Sequence, residues 1–462
     1  MPRGSYLVNT VNSFQMKIIF FILLIVSINY PDSWSQEREI DELIQPYLET
    51  NNFSGSVLIS QYGKVVFSKA YGLMNRSYHL DNTTETKFYL ASVSMIFTAA
   101  AIMRLVEDNK VSLDDPLSKY LSGYKFGDSI TIHHLLSQRS GIPAIGQNNK
   151  VDYDSITKFG HTPEQLIDYF KGDSLLFQPD TKYNHGRSDY ILLAYIIEKV
   201  TGKTFGTYLN ESLFDPIQMN NTGHSAGEKS IVENLAAGYA PTGHYDVENA
   251  YHIDWTSKTG HGSIYATSED LNRFANAILN NQFLSEQSWK KIFTDYGNQV
   301  GYGWFIRDHL DKKRFQMNGR SPGFSSYFGI YPDDKLVVIV LSNNYISLPP
   351  DLGQQMAALV YKMPYTKTNL SAAKLDPKQA DRLSGKYKFD EKFYVPNAEL
   401  EVTFEDGLLS STWGALIPVD DGNPHLNKYI LRSYWSDVEF VENNKGQVEA
   451  MMYDGFKGIK IN

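Results

Sequence analysis

A chain of 462 residues is long for one hydrophobic core, so a large domain followed by a smaller one is expected. At 42% hydrophobic and 21% charged residues the composition is that of a globular protein and excludes global disorder; the formal net charge of -9, with no Lys/Arg run, excludes a phosphate-binding surface, so no nucleic-acid partner is expected. With no cysteine there are no disulfides, no thiolate metal sites and no lipidated N-terminal cysteine.

In chain order, Lys17 precedes the apolar stretch Ile18 to Ile28, and Ser33 and Ser35 supply small residues beyond it. The pattern predicts a signal peptide cut after Ser35, since the apolar run is shorter than the roughly 20 residues that span a bilayer. An uncleaved signal anchor, with Trp34 inside the cleavage site, is the alternative, and only through it would the protein meet a membrane. Met16 is a second candidate initiator. Residues 1–35 are thus read as extension and signal, and the mature protein as exported, periplasmic or secreted.

Ile40 to Thr50 has helical periodicity, and Ser54 to Ala70 alternates as two strands about a turn at Gln61 to Gly63. Helices are predicted from Met95 to Asp108, from about Asp189 to Val200 with Gly202 as stop, and from Ser268 to Leu279 behind a Ser-Glu-Asp start. Strand character returns over Ser325 to Asn343 about a turn at Pro332. Strands at both ends of a helical middle predict an α/β (α+β) domain with a helical insertion over residues 36–365. Pro349-Pro350 and the polar stretch Thr366 to Gln379 read as boundary and linker, the latter taken as 366–380. In residues 381–462, Leu400, Val402 and Phe404 alternate with Glu399, Glu401, Thr403 and Glu405, and turns fall at Asp406-Gly407 and Asn443 to Gly446, which predicts a small β-sandwich or barrel.

Five stretches in series, FYLASVSMIFTAAAIMRLVEDNKVSLDDPLSKYL, ITIHHLLSQRSGIP, YILLAYIIEKVTGKTF, SIYATSEDLNRFANAIL and GRSPGFSSYFGIYPDDKLVVIVLSNN, resemble the serine β-lactamase and penicillin-binding protein family, specifically its class C β-lactamases and D-alanyl-D-alanine peptidases. The resemblance runs from about Gln36 to Met363. It implies an antiparallel sheet flanked by helices, with a small β domain behind it. It also implies a serine nucleophile with a lysine one helical turn later, a Tyr-x-Asn element, and a Lys/His-x-Gly strand facing the serine. Ser92 stands at the nucleophile position. Met95 replaces the lysine and can neither take a proton nor carry charge. His185-Gly186-Arg187 stands where Tyr-x-Asn is expected, and Met317-Asn318-Gly319 where Lys/His-x-Gly is expected. A literal Lys258-Thr259-Gly260 precedes a helix start and is read as a chance match.

A serine hydroxyl needs a neighbouring base, and His185, with an ordinary pKa near 6.5, is the candidate replacement. In that reading Arg187 holds an acyl or carboxylate oxygen, Asn318 and Gly319 line the ligand, and the backbone NH groups of Ser92 and of a residue near Gly323 stabilise an oxyanion. Ser94 is expected to cap the backbone, His133 and His134 to be structural or solvent-facing, and Arg139-Ser140-Gly141 to shape the cleft wall. No His/Asp/Glu set has metal-ligand spacing, so neither metal nor cofactor is expected. Two functions remain open: a catalytically impaired protein that binds a cell-wall peptide, another amide or ester, or a partner protein, and a working serine hydrolase, either with His185 as base or by low residual acylation of Ser92.

Overall fold

The protein is described by a computed structural model covering residues 31–147, 151–227, 230–345, 349–371, 373–422 and 426–461. The predicted signal segment, Lys17 through Ile28, lies outside the described residues.

The central sheet has six strands: β1 (Gly55–Gln61), β2 (Lys64–Tyr71), β3 (Phe305–His309), β4 (Lys312–Ser321), β5 (Phe324–Tyr331) and β6 (Leu336–Ser342). Their order is β3-β4-β5-β6-β1-β2, every neighbouring pair antiparallel. Strand β6, from the far end of the domain, pairs with β1, from its start. The two-residue period of the strands sorts their side chains onto two cores. Val338 and Val340 face Ile44, Tyr47 and Met356, while Val337, Ile339 and Leu341 face Ile96, Phe274 and the larger helical layer.

Helix α1 (Pro31–Glu49) buries Ile40, Leu43, Ile44 and Tyr47, one stripe at helical spacing. It begins nine residues before the predicted Ile40 and runs through the predicted cleavage point at Ser35. Helices α2 (Ser94–Glu107), α3 (Arg187–Thr201) and α4 (Ser268–Leu279) cover the opposite face. Gly202 closes α3 with a left-handed φ of 67°, as the stop signal requires. Pro349-Pro350 corrects an expectation. These prolines mark no boundary but open helix α5 (Pro349–Val360), whose Leu352 and Met356 pack on the sheet. Proline fits a first helical turn because the NH groups there have no intrahelical partner.

The stretch 366–380 is tied to the C-terminal unit: Ser371 N donates to Pro418 O, Leu375 N donates to Gly407 O, and helix α6 (Pro377–Leu383) starts inside it. That unit is a closed barrel of eight antiparallel strands, β7 (Gly385–Lys388), β8 (Glu399–Glu405), β9 (Leu408–Ser411), β10 (Gly414–Pro418), β11 (Lys428–Leu431), β12 (Ser436–Glu442), β13 (Val448–Tyr453) and β14 (Phe456–Ile461). Closure leaves no open sheet edge. In β8 the expected alternation holds, with Leu400 and Val402 buried between exposed Glu399, Glu401 and Thr403.

Arg432, just beyond β11, joins barrel to domain. It is 2% exposed and its guanidinium donates five hydrogen bonds, to Asn52 Oδ1 and to the carbonyls of Thr50, Thr242, Gly243 and Asp246, at 2.7–2.8 Å. Three of these carbonyls belong to a hairpin of the large domain, Tyr239–Thr242 paired with Asp246–Asn249. His244 of that hairpin bonds Leu409 O at 2.6 Å, and Trp435 stacks on Tyr47 of α1 at 4.0 Å.

Candidate active site

Ser92 lies in a 3-10 turn, Ala91–Val93, that leads directly into α2. The turn is held from two sides. Leu90 N donates to Ile264 O, and Ile264 N donates back to Ser94 Oγ at 3.1 Å, so Ser94 satisfies the backbone of a distant segment and does not cap its own helix. On the sheet side Ser326 Oγ donates to Leu90 O at 2.6 Å. Ala91, immediately before the serine, has φ of 49°, a left-handed conformation that costs an L-residue energy and persists only where its surroundings enforce it.

Gly319 is the close-packed point of the turn. A Cβ there would lie 2.1 Å from Leu90 O and 2.9 Å from Ser92 N, so only glycine lets β4 run against the serine's backbone. The glycine thus makes room for the nucleophile turn itself. Met317 lies on the same strand face, is 2% exposed and belongs to the hydrophobic core. Asn318, by strand alternation, is on the opposite face. Gly323 makes the β4–β5 turn with φ of 80° and backs onto Gly238, at the base of the hairpin that Arg432 clamps. Met95, one helical turn after Ser92, is 2% exposed among apolar neighbours.

His185 precedes α3, and Arg187 is the helix's first residue, two positions before the predicted start. Among the described residues no hydrogen bond joins His185 to Ser92; its Nδ1 meets Gln138 Oε1 at 3.2 Å and Tyr183 OH at 3.1 Å. The tautomer follows from these partners. Gln138 Nε2 donates to Gly186 O at 3.1 Å, which turns Oε1 toward the imidazole, so Nδ1 carries the proton and Nε2 presents its lone pair. Burial and then the Arg187 charge hold the His185 pKa below its ordinary value, so the ring is neutral at pH 7.

His185 and Arg187 line a cavity of about 680 Å³ together with Gln147, Tyr153, Asp154 and Asn184. Ser92 does not line it. The Arg187 guanidinium lies 4.0 Å from the centre of the Tyr153 ring and the Lys258 ammonium 5.1 Å from it, while Tyr153 OH meets His261 Nε2 at 3.3 Å. Lys258 ends a 3-10 turn, Trp255–Lys258, and is off the sheet, as expected of a chance match to the strand motif; its side chain nevertheless reaches this cluster. Burial, then repulsion from Arg187, push the Lys258 pKa down to about 8 against the pull of Asp154. Segment 258–264 links the two halves of the site. Its Lys258 and His261 face Tyr153, and its Ile264 holds the Ser92 turn.

Sequence reasoning did not single out Gln138, Tyr153 or His261, and it set Lys258 aside as part of a chance match. The remaining expectations fall elsewhere. His133 Nδ1 bonds Tyr302 OH at 2.7 Å and His134 completes a capping box with Thr131. Arg139 pairs with Asp180, and Ser140 donates to Asp189 at 2.6 Å; neither Arg139 nor Ser140 lines the cavity. No cluster of three metal-ligating side chains occurs among the described residues.

Comparison with known proteins gives a consistent result. The Beta-lactamase family model matches residues 40–360. PbpX of Bacillus subtilis (strain 168) is 29% identical over 314 residues, 67% of this chain and 76% of its own length. A penicillin-binding protein of the same organism is 24% identical over 445 residues, 91% of this chain and 97% of its own. Among solved structures, the octameric penicillin-binding protein homologue from Pyrococcus abyssi superimposes with a TM-score of 0.65 at 23% identity, covering 93% of this chain and 100% of that one.

Proposed function

This chain belongs to the beta-lactamase family of serine hydrolases, and from that premise we propose that it is an exported member that binds a peptide, amide or ester ligand beside Ser92 with its acylation chemistry largely lost. Export rests on Lys17 and the apolar stretch Ile18 to Ile28. The observation that carries the loss of chemistry is the contrast at the Ser92 turn. The scaffold that aims the serine is intact, with Gly319 tight against it and Ser326 and Ile264 holding its backbone, yet Met95 fills the lysine position with a buried thioether and no base is bonded to the hydroxyl among the described residues. A serine without a base is a poor nucleophile, and removing one catalytic partner commonly costs several orders of magnitude in rate.

A second reading is favoured by one feature, the Nε2 of a neutral His185, which has no hydrogen bond among the described residues and so has the form a general base must have. Intact-mass spectrometry separates the two. The protein, Ser92→Ala and Met95→Lys are each incubated with a fluorescent penicillin and with an activated ester. The impaired reading expects no adduct in the starting protein and labelling gained in Met95→Lys. An adduct in the starting protein that vanishes in Ser92→Ala overturns it and makes His185→Ala the next variant.

A further inference from the structure

We infer that one end of the C-terminal barrel binds a small organic cation, a quaternary ammonium with no anionic group of its own, among the rings of Trp413, Tyr434 and Tyr453 and beside the carboxylate of Asp454. The site lies in the other unit from Ser92, so the inference stands or falls apart from the reading proposed for the serine.

The topology of the barrel builds the site. Where neighbouring strands follow one another in sequence, alternate connections share an end, so the loops β7–β8, β9–β10, β11–β12 and β13–β14 meet at one rim. Below that rim the barrel is filled by a core that includes Tyr387, Leu400, Leu416, Tyr429, Phe440 and Met451, so room for a guest is found at the mouth. There a recess of about 580 Å³ takes part of its lining from each of the four loops. Trp413 and Tyr453 form a corner of it, ring centres 5.5 Å apart and planes 61° apart, and buried Phe393 lies parallel to Trp413 at 5.4 Å and fixes its plane. Three large apolar side chains of the same lining stay in water, Tyr394 at 66% exposure, Val395 at 64% and Tyr434 at 50%. Exposed apolar surface scattered singly is ordinary, but gathered about one recess it marks a binding surface.

The charge of the lining names the guest. Asp454 is its one charged residue, and no lysine, arginine or histidine lines the recess. Asp454 and Gly455, with φ of 48° and 81°, form the two-residue turn between β13 and β14, and this turn stands the carboxylate on the rim. Asp454 Oδ2 accepts a hydrogen bond from Tyr394 OH, and among the described residues no ion pair reaches it. Aromatic faces attract cations through their quadrupole, and the carboxylate adds a full negative charge, so both features favour a positive guest. A primary ammonium is strongly hydrated and calls for three hydrogen-bond acceptors, whereas a quaternary one keeps its charge and presents only methyl groups, which suit ring faces. A phosphate or carboxylate on the same molecule would meet Asp454 with no lining cation to offset it.

The test is titration of the full chain followed by NMR at the Trp413 indole NH, assigned through Trp413→Phe, with choline, its neutral isostere 3,3-dimethylbutan-1-ol, and phosphocholine as probes. Choline should shift the resonance saturably and bind at least about tenfold more tightly than the isostere, equivalent to about 1.4 kcal/mol, and phosphocholine should bind more weakly than choline. Asp454→Asn should abolish the preference for choline over the isostere, and Tyr434→Leu, at a half-exposed position, should weaken choline binding several-fold; unfolding midpoints matched to the starting protein show that both variants fold. Ser92→Ala should bind choline as the starting protein does. Equal affinity for choline and its isostere, no shift by either, a preference undiminished in Asp454→Asn, or sedimentation with phosphatidylcholine vesicles without any response to free choline would overturn the inference.

Discussion

At the scale of single residues, the state of His185 is set by a neighbour 47 positions away. Gly186 O orients the Gln138 amide, and the amide fixes the imidazole proton on Nδ1. Nitrogen-15 NMR at pH 7 should therefore show a protonated Nδ1 and an unprotonated Nε2 for His185, and Gln138→Leu should let the two tautomers mix. The same ring should titrate below about 6.5, the ordinary histidine value. The sign comes from linkage: between the lowered folded pKa and the unfolded one, the unfolded chain binds more protons, so the contribution of neutral His185 is complete above about pH 6.5 and is lost as pH falls through the folded value. A His185 midpoint above 6.5, or a proton on Nε2, would refute the assignment. Ser92 and Met95 are legible in the sequence only through the family resemblance, which fixes the nucleophile position and the one a helical turn later. Gln138, Tyr153 and Lys258 are not, because nothing in their own surroundings says which distant ring they will meet. Lys258 shows this most plainly: its neighbours in the chain say that it stands off the strand, and say nothing of how far its side chain reaches.

At the scale of elements, apolar spacing and turn signals locate α2 and α4 to within a residue or two and the strand pairs about Gly63 and Pro332, although α2, β1 and β6 are buried on nearly every side. They fail at helix starts. Arg187 falls outside the predicted span of α3 because a charged first residue carries no periodic signal, and Pro349 reads as a break although a first turn tolerates proline. Nor can a sequence display how closely β4 approaches the Ser92 turn. Gly319→Ala should force a backbone carbonyl and the serine NH apart and lower stability by roughly 1–3 kcal/mol, the usual range for overpacking. Gly172→Ala, with open space around the new methyl group and no left-handed φ, is the matched control and should be neutral or slightly stabilising. Chemical denaturation of both variants decides it. Equal midpoints would mean that the strand has room to retreat.

At the scale of the whole molecule, the barrel is visible in the sequence as a change of period, but its attachment is not, because it depends on one arginine meeting four backbone carbonyls and an asparagine from sequence-distant segments. The clamp is directional. Arg432 grips the hairpin Tyr239–Thr242/Asp246–Asn249, the hairpin's base at Gly238 lies against Gly323, and Gly323 makes the turn of the strand pair that carries Gly319. Through these contacts the barrel reaches the strand pair that carries Gly319. Arg432→Met would leave five acceptors without their donor, and each buried acceptor so stranded costs on the order of 1–3 kcal/mol before water relaxes into the gap. Arg432→Lys should rescue little, since an ammonium has three donors against the five hydrogen bonds in use. Hydrogen exchange is the discriminating measurement, because it resolves where the loss falls. Both variants should speed exchange across residues 239–249 and along the turn at Gly323, while the barrel's own ladder from β7 to β14 stays protected. Loss of protection confined to the barrel would instead make Arg432 a barrel-folding residue and remove the mechanical link between the two units.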